Sequence, residues 1–324
     1  LKEKTVYQED IRWIEGTPLA LKIRQIEFIP PHIHDDIVEI IFCLKGMVTF
    51  NYEYEQFTLI EGEFICVDKD AHYLYDGSDD ICISMYIDLN WFKKKYPYIT
   101  SLLFVCEYTS DSSTPRRKCH DDLKGMLIAL LFYLNTHDKN EAGYKKNIIS
   151  SVEMIIDLFV RDFDIIFFYN PRLKLKPELL KRHHDLMLFL DRHSSEKITL
   201  KDMADHFHLS ESYISEFMRI NLGFRKCLGY WRAYKSEKLL LDTKMNIMEI
   251  SERCGFSDPK YYYKAFKAWY RCTPKEFRKN YTEKMKSPCL EKEFFIDDIY
   301  EPLDKLMLAH YMDLFLDPPR KEDL

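Results

Sequence analysis

Two stretches near the C-terminus, about fifty residues apart, repeat one pattern of a short helix, a tight turn and a second helix. The first runs from Ile198 through Ala204, Leu209-Ser210-Glu211-Ser212-Tyr213-Ile214-Ser215 and on to Gly223. The second runs from Ile247-Met248-Glu249-Ile250 through Gly255-Phe256-Ser257-Asp258 to Phe266-Lys267. One helix-turn-helix is a common structural accident. Two in tandem, joined by a helical stretch, can lie in successive major grooves on one face of a duplex. This doubling restricts the C-terminal third to an all-α domain and points to double-stranded DNA as its partner.

The residues of each unit fit the geometry. In the first, Thr199 is the expected N-cap of a helix ending at His206. Leu200, Met203, Ala204 and Phe207 face inward, and Ala204 is small where the two helices cross. Ser210 caps the second helix, whose Ile214, Phe217 and Met218 face inward. That leaves Ser212, Ser215, Glu216 and Arg219 outward, as candidates for base edges. In the second unit, Ile247 and Ile250 face inward, Gly255 permits a turn with positive φ, and Phe256 packs beneath it. Ser257 is the expected cap, with Pro259 tolerated in the first turn. Tyr262, Ala265 and Phe266 face inward. Lys260, Tyr263, Lys264 and Lys267 face outward, a sharper signal for a phosphate-lined groove than the polar mix of the first unit. Thr273, Pro274 and Glu276 open a closing helix as N-cap, N1 and N3. Between the units, the helix from Arg232 to Leu241 would hold the two recognition helices about 34 Å apart, one duplex turn.

Charge agrees with this division. The 324-residue chain has a formal net charge of -6, yet residues 179–282 carry 20 Lys+Arg against 13 Asp+Glu. A basic segment in an acidic chain suits a phosphate-facing module attached to a body that does not touch DNA. Nine scattered cysteines, odd in number and without C-x-x-C spacing, argue for reduced thiols in the cytoplasm and against a zinc finger. The first ten residues lack the basic-then-apolar pattern of a signal peptide, and no apolar run is long enough to span a membrane.

The segment 198–279 resembles the DNA-binding domain of the AraC/XylS family of bacterial transcriptional regulators. The resemblance is carried by Leu200 and Ala204, Ser210 with Tyr213-Ile214-Ser215, Gly223, Arg232 with Leu239-Leu240, Ile247 and Ile250, Gly255-Phe256-Ser257-Asp258, Phe266-Lys267, Thr273-Pro274 and Phe277-Arg278. There are departures: Arg271 stands where the family usually has Gly, Ser251 where it usually has Ala, and the stretch from Gly223 to Arg232 is slightly short. The resemblance implies a cupin-like sensor domain, a small-molecule effector, dimerisation, transcriptional activation with RNA polymerase as a further partner, and no catalytic activity.

The N-terminal part reads as strands. Runs rich in β-branched and aromatic residues at 22–29, 37–44, 47–52, 56–60, 64–67 and 81–89 are separated by turn-like clusters, among them Lys45-Gly46 and Asp76-Gly77-Ser78-Asp79. Many short strands predict a β-barrel or jelly roll. Within it, His32-x-His34-x4-Glu39-x6-Gly46 matches the spacing of the first cupin motif, and 62–72 is a rough second motif ending at His72. Three imidazoles and one carboxylate would suit a divalent transition metal, so a metal-dependent cupin enzyme, a dioxygenase or isomerase, fused to a DNA-binding module is the alternative reading. Asp68 and Asp70 depart from the second motif, and an effector pocket with neither metal nor cofactor is preferred. Its expected lining is His32, His34, Glu39, His72 and Tyr86. Tyr52, Tyr54, Tyr73 and Tyr75 are further stacking faces for a sugar or aromatic ligand, or else core. Histidines merely hydrogen-bonded at the barrel rim are the remaining reading.

After Trp91 the period becomes helical. Stretches 119–135 and 145–163 form an antiparallel hairpin, the first with Leu123, Met126, Leu127, Leu130, Leu131 and Leu134 on one face. This hairpin either packs wholly within the chain or offers a face to a second subunit. The expected organisation is α+β and multidomain: a cupin-like sensor at 1–92, a dimerising hairpin at 93–166, a linker at 167–177, the DNA-binding domain at 178–282, and an acidic extension at 283–324. In the extension, Ile299, Leu303, Leu306, Met307, His310 and Leu314 suggest one helix of unassigned place.

Overall fold

The computed structural model describes residues 7–52, 55–67, 72–102, 104, 106–109, 118–163, 177–219 and 222–316. The linker expected at 167–177 lies outside them but for Pro177, which opens a helix, and Tyr54, Asp68 and Asp70 also lie outside.

The N-terminal body is a curved, barrel-like sheet built on three long strands: β1 (Leu19–His32), β2 (Ile37–Tyr52) and β5 (His72–Asp88). β3 (Glu55–Ile60) pairs with the second half of β2 and β4 (Phe64–Val67) with its first half, while β6 (Cys106–Tyr108) extends the sheet beyond β4. Two expected turns are instead irregularities inside strands. Gly46 has φ +73°, and the register of β2 against β5 shifts around it. Gly77 lies within β5, where an added Cβ would sit 2.5 Å from the Ile26 carbonyl oxygen. Such bulges bend the long strands without ending them.

Period-2 alternation assigns the two faces. Val38, Ile40, Phe42 and Leu44 of β2, with Ile83, Met85 and Ile87 of β5, face a helical layer. The alternate residues Glu39, Ile41 and Cys43, with Cys82, Ser84 and Tyr86, face the concave interior and are likewise buried. Strands covered on both sides read as continuous apolar runs. The helical layer consists of α1 (Lys118–Thr136) and α2 (Tyr144–Leu158), which continues as a wider turn, Phe159–Phe163.

The C-terminal helical body comprises α3 (Pro177–His193), α4 (Leu200–His206), α5 (Glu211–Arg219), α6 (Phe224–Asp242), α7 (Ile247–Arg253), α8 (Pro259–Tyr270) and α9 (Pro274–Lys284). α6 is shared by two cores. Cys227, Leu228 and Trp231 pack with Met203, Ile214 and Met218 of the first unit. Leu240 and Leu241 pack with Ile250, Tyr262 and Phe266 of the second.

The acidic C-terminal stretch returns to the N-terminal body. β7 (Leu290–Phe294) pairs antiparallel with β1, and α10 (Tyr300–Leu316) with the single turn before it packs on α1 through Ile299, Leu303 and Leu306. Part of the hairpin surface considered for a second subunit is therefore occupied by the same chain. Among the described residues no helix is long and apolar enough to cross a membrane.

Candidate DNA interface and sensor site

The helix-turn-helix units form as their caps dictate. The Thr199 hydroxyl accepts from the Asp202 N–H while the Asp202 carboxylate accepts from the Thr199 N–H, a reciprocal capping box. Asn246 and Glu249 make the same box on α7, and Thr273 and Glu276 on α9. The Ser210 hydroxyl accepts from the Tyr213 N–H at 3.2 Å. On α8 the cap is Asp258, whose carboxylate accepts from the Lys260 N–H at 2.6 Å, and not Ser257 as expected. Pro259 occupies N1, so the residue immediately before it supplies the cap.

Gly255 has φ +84°, and a Cβ there would lie 2.7 Å from the Ser195 carbonyl oxygen. Arg232 holds the same loop, donating to the Ser194 carbonyl at 2.7 Å and the Glu196 carbonyl at 2.8 Å. The departures from the family pattern have local explanations. Arg271 sits at φ +54°, the left-handed cap where Gly is least strained. Ser251 is fully buried and its hydroxyl has no hydrogen-bond partner, so an Ala would fit there without loss.

All eight expected DNA-facing residues are exposed: Ser212, Ser215, Glu216 and Arg219 on α5, and Lys260, Tyr263, Lys264 and Lys267 on α8. The two faces differ in charge. Arg219 is paired with Glu216 at 2.6 Å. The three lysines of α8 have no carboxylate within ion-pair distance among the described residues. Tyr261, 59% exposed, also lies on α8 and was not anticipated.

In the N-terminal body, the five residues expected to line a pocket converge. His32 ends β1 and stands opposite His72, the first residue of β5. Glu39 on β2 stands opposite Tyr86 on β5. His34 follows β1 and meets Tyr86 edge-on at 5.4 Å between ring centroids. A single oxygen, Glu39 Oε2, lies 3.5 Å from His32 Nε2, 3.2 Å from His34 Nε2 and 2.9 Å from His72 Nε2. The sheet thus gathers three imidazoles around one buried carboxylate.

Several partners of this cluster were missed from sequence. Arg24 is fully buried on β1, donates to the Ser84 hydroxyl at 2.7 Å, and pairs with Glu9, Glu39 and Glu291. Glu9 comes from the segment before β1, and the Tyr86 hydroxyl donates to it at 2.7 Å. Glu291 comes from β7, so the C-terminal strand closes the charge network. The only signal available for Arg24 was its place in phase with inward positions of a strand; Glu9 carried none. Tyr73 and Tyr75 do not line this site. They stack at 5.9 Å and face α9, with Lys284 over Tyr75 at 5.6 Å and Tyr281 edge-on to Tyr73 at 5.8 Å.

Electrostatics follow from crowding. Burial disfavours a charged His34, but the Glu39 and Glu9 carboxylates outweigh it and hold its pKa at about 9. Burial and the neighbouring His32 push His72 down. Burial raises Glu39, yet His72 and the other imidazoles bring it well below the ordinary carboxylate range.

A cavity of ≈ 400 Å³ opens beside the cluster. Glu9, His34, Asp35 and Ile37 form its N-terminal side, and Lys238 and Asp242 of α6 form its far side. Lys238 also pairs with Asp35 across the junction. The helix that joins the two helix-turn-helix units is therefore one wall of the cavity.

Comparison with known proteins supplies the remaining context. Residues 203–280 match the family described as a helix-turn-helix domain. The regulatory protein PocR of Salmonella typhimurium is 30% identical over 104 residues, 32% of this chain and 34% of that one. The HTH-type transcriptional activator RhaS of an Enterobacter species is 22% identical over 271 residues, 81% of this chain and 92% of that one. The lactose operon transcription activator of Staphylococcus xylosus is 22% identical over 74% of this chain and 82% of its own length. Among solved structures, ToxT of Vibrio cholerae aligns over 81% of this chain and 98% of its own at 13% identity, with a TM-score of 0.40.

Proposed function

Because residues 203–280 form a helix-turn-helix domain of the AraC type, we propose that the chain is a sequence-specific DNA-binding transcriptional regulator, an activator, controlled by an effector bound in its N-terminal body. The observation that carries this reading is the pair of exposed recognition helices, α5 and α8, each backed by its own core and both cores built on α6. A continuous shared helix is what is required to keep two such helices in phase with a duplex, about 34 Å apart. Relatives named as activators support the direction of control. RNA polymerase is then a partner, and the active form is a dimer.

The effector acts at the junction. A ligand in the ≈ 400 Å³ cavity touches His34 and Glu9 on one side and Lys238 on the other. It can therefore bind one arrangement of the two bodies more tightly than another, which is the condition for shifting their populations. The metal-dependent enzyme reading is not adopted, since the relatives are regulators.

The test is selection of bound duplexes from a randomised pool by the full chain. A recovered consensus with two half-sites one duplex turn apart is expected. Ser215→Ala should change the preferred bases more than overall affinity, and Glu216→Ala should change the preferred bases as well. Recovery of unbiased sequence, or of a consensus untouched by these variants, refutes the proposed readout.

A further inference from the structure

We propose that His32, His34, His72 and Glu39 hold a divalent first-row transition-metal ion, so that the sensor site is a metal site and the junction cavity is the approach to it. This rests on the regulator reading only for its consequence; the metal chemistry stands on the cluster itself.

The four side chains offer three nitrogens and one oxygen, all within 4.8 Å of one another, and all four are buried. Two ligands of one metal, each bonded at about 2.1 Å, lie about 3.0–3.4 Å apart for right-angle or tetrahedral geometry. The observed separations from Glu39 Oε2, 2.9–3.5 Å, span that range. The set is imidazole-rich without thiolate, which suits zinc, iron, cobalt or nickel and not calcium or magnesium.

The tautomer of His32 points the same way. Its Nδ1 lies 2.8 Å from the Pro30 carbonyl, which can only accept, so Nδ1 carries the proton. In the neutral imidazole Nε2 then presents a lone pair to the cluster, and in this fully buried residue it has no hydrogen-bond partner. Glu39 Oε1 is likewise buried without a hydrogen bond, the Arg24 guanidinium standing 3.6 Å away. A buried acceptor left unsatisfied costs free energy, and a cation among these groups removes that cost. A backbone carbonyl fixing the outer nitrogen of an imidazole is the usual support of a histidine ligand.

The surroundings balance the charge. Arg24 and Lys22 oppose Glu9, Glu39 and Glu291. Glu9 Oε2 lies 3.6 Å from both His32 Nε2 and His34 Nε2, close enough to fill a fifth position or yield it to an anionic ligand entering from the cavity. Arg24 joins Glu39 to Glu291 on β7, which follows α9 directly in the chain. Occupancy at the cluster is thereby felt at two places that adjoin the helix-turn-helix body, the Lys238 wall and the β7 strand.

The experiment uses tag-free full-length protein stripped with a chelator and titrated with Co²⁺, then with Zn²⁺. One equivalent of Co²⁺ giving visible ligand-field bands, displaced by Zn²⁺, is expected. Glu39→Gln and His72→Ala should weaken Co²⁺ affinity by at least tenfold, since loss of even an outer-shell partner costs about 10–100-fold. Circular dichroism identifies any variant that fails to fold, in which case the milder His32→Gln replaces it. His206→Ala, an exposed histidine outside the cluster, should leave the stoichiometry unchanged. Absence of bands in the wild type, or bands retained in the double variant His32→Ala/His72→Ala, overturns the proposal. DNA binding measured on the same samples separates the two readings: a protein that binds duplex but no metal sinks the metal site and leaves the regulator standing.

Discussion

Salt dependence gives the sharpest test of the DNA-facing surface. Lys260, Lys264 and Lys267 recur along α8 at spacings that place them on one exposed face. None has an acidic partner among the described residues, so each is available to neutralise one phosphate. Every such contact steepens the slope of log K against log salt by about 0.9. Replacing all three with Gln should therefore flatten the slope by about 2.7. Over a roughly fourfold rise in salt, one contact weakens binding about 3.5-fold, so the wild type should lose about 40-fold more affinity than the triple variant. Glu216→Gln is the counterpart: it releases Arg219 from its 2.6 Å pair and should steepen the slope by up to about 0.9. Fluorescence anisotropy with a mixed-sequence duplex reads both effects without knowledge of the operator. A triple variant whose slope equals that of the wild type would show that α8 does not face the phosphates.

Two further outcomes concern the scaffold. Gly255→Ala combines a left-handed backbone with a Cβ pressed on the Ser195 and Ser194 carbonyls, and should cost about 2–5 kcal/mol, whereas Gly143→Ala, at φ +95° with open space around it, should cost only about 1–2 kcal/mol; equal losses in denaturant titrations would remove the contact with the 194–195 loop from the account. The Asp202 carboxylate is held below its usual range by the Thr199 hydroxyl and backbone N–H, and Glu276 by the Thr273 backbone N–H and hydroxyl. Both folded values are depressed, so their stabilisation is present above the ordinary carboxylate range and lost as pH falls through the folded values; Thr199→Val and Thr273→Val should make acid unfolding monitored by circular dichroism less steep, and an unchanged profile would count against the capping boxes.

The DNA-binding body was legible because its signals are local. Caps, a glycine at a left-handed turn and a 3.6-residue apolar period act within a few residues, so Thr199, Gly255 and Thr273 could be read directly. Ser257 in place of Asp258 is a choice between adjacent capping residues. The gathering of His32, His34 and Glu39 was legible from spacing, because β1 and β2 bring them together over a short stretch. Turn chemistry misled at Lys45-Gly46 and Asp76-Gly77-Ser78-Asp79, since a residue with positive φ, Gly46 in the first and Asp79 in the second, serves a bulge as well as a hairpin. Glu9, Arg24 and β7 were not legible as parts of one network. β7 is Leu-Glu-Lys-Glu-Phe, and its alternation carries ion pairs to Arg12, Lys22 and Arg24 in place of apolar contacts. Those partners lie more than 260 positions away in the chain.

The return of β7 and α10 to the first body has a practical corollary for anyone dissecting this protein. The DNA-binding module is a loop excursion whose departure and arrival points are both anchored on the same scaffold. Expressing the chain only as far as its closing helix would strip the sheet of an edge strand and bare the flank of α1, so the fragment would hold a damaged N-terminal body. An intact one calls for splicing the two distant pieces together, with a short bridge standing in for everything between them.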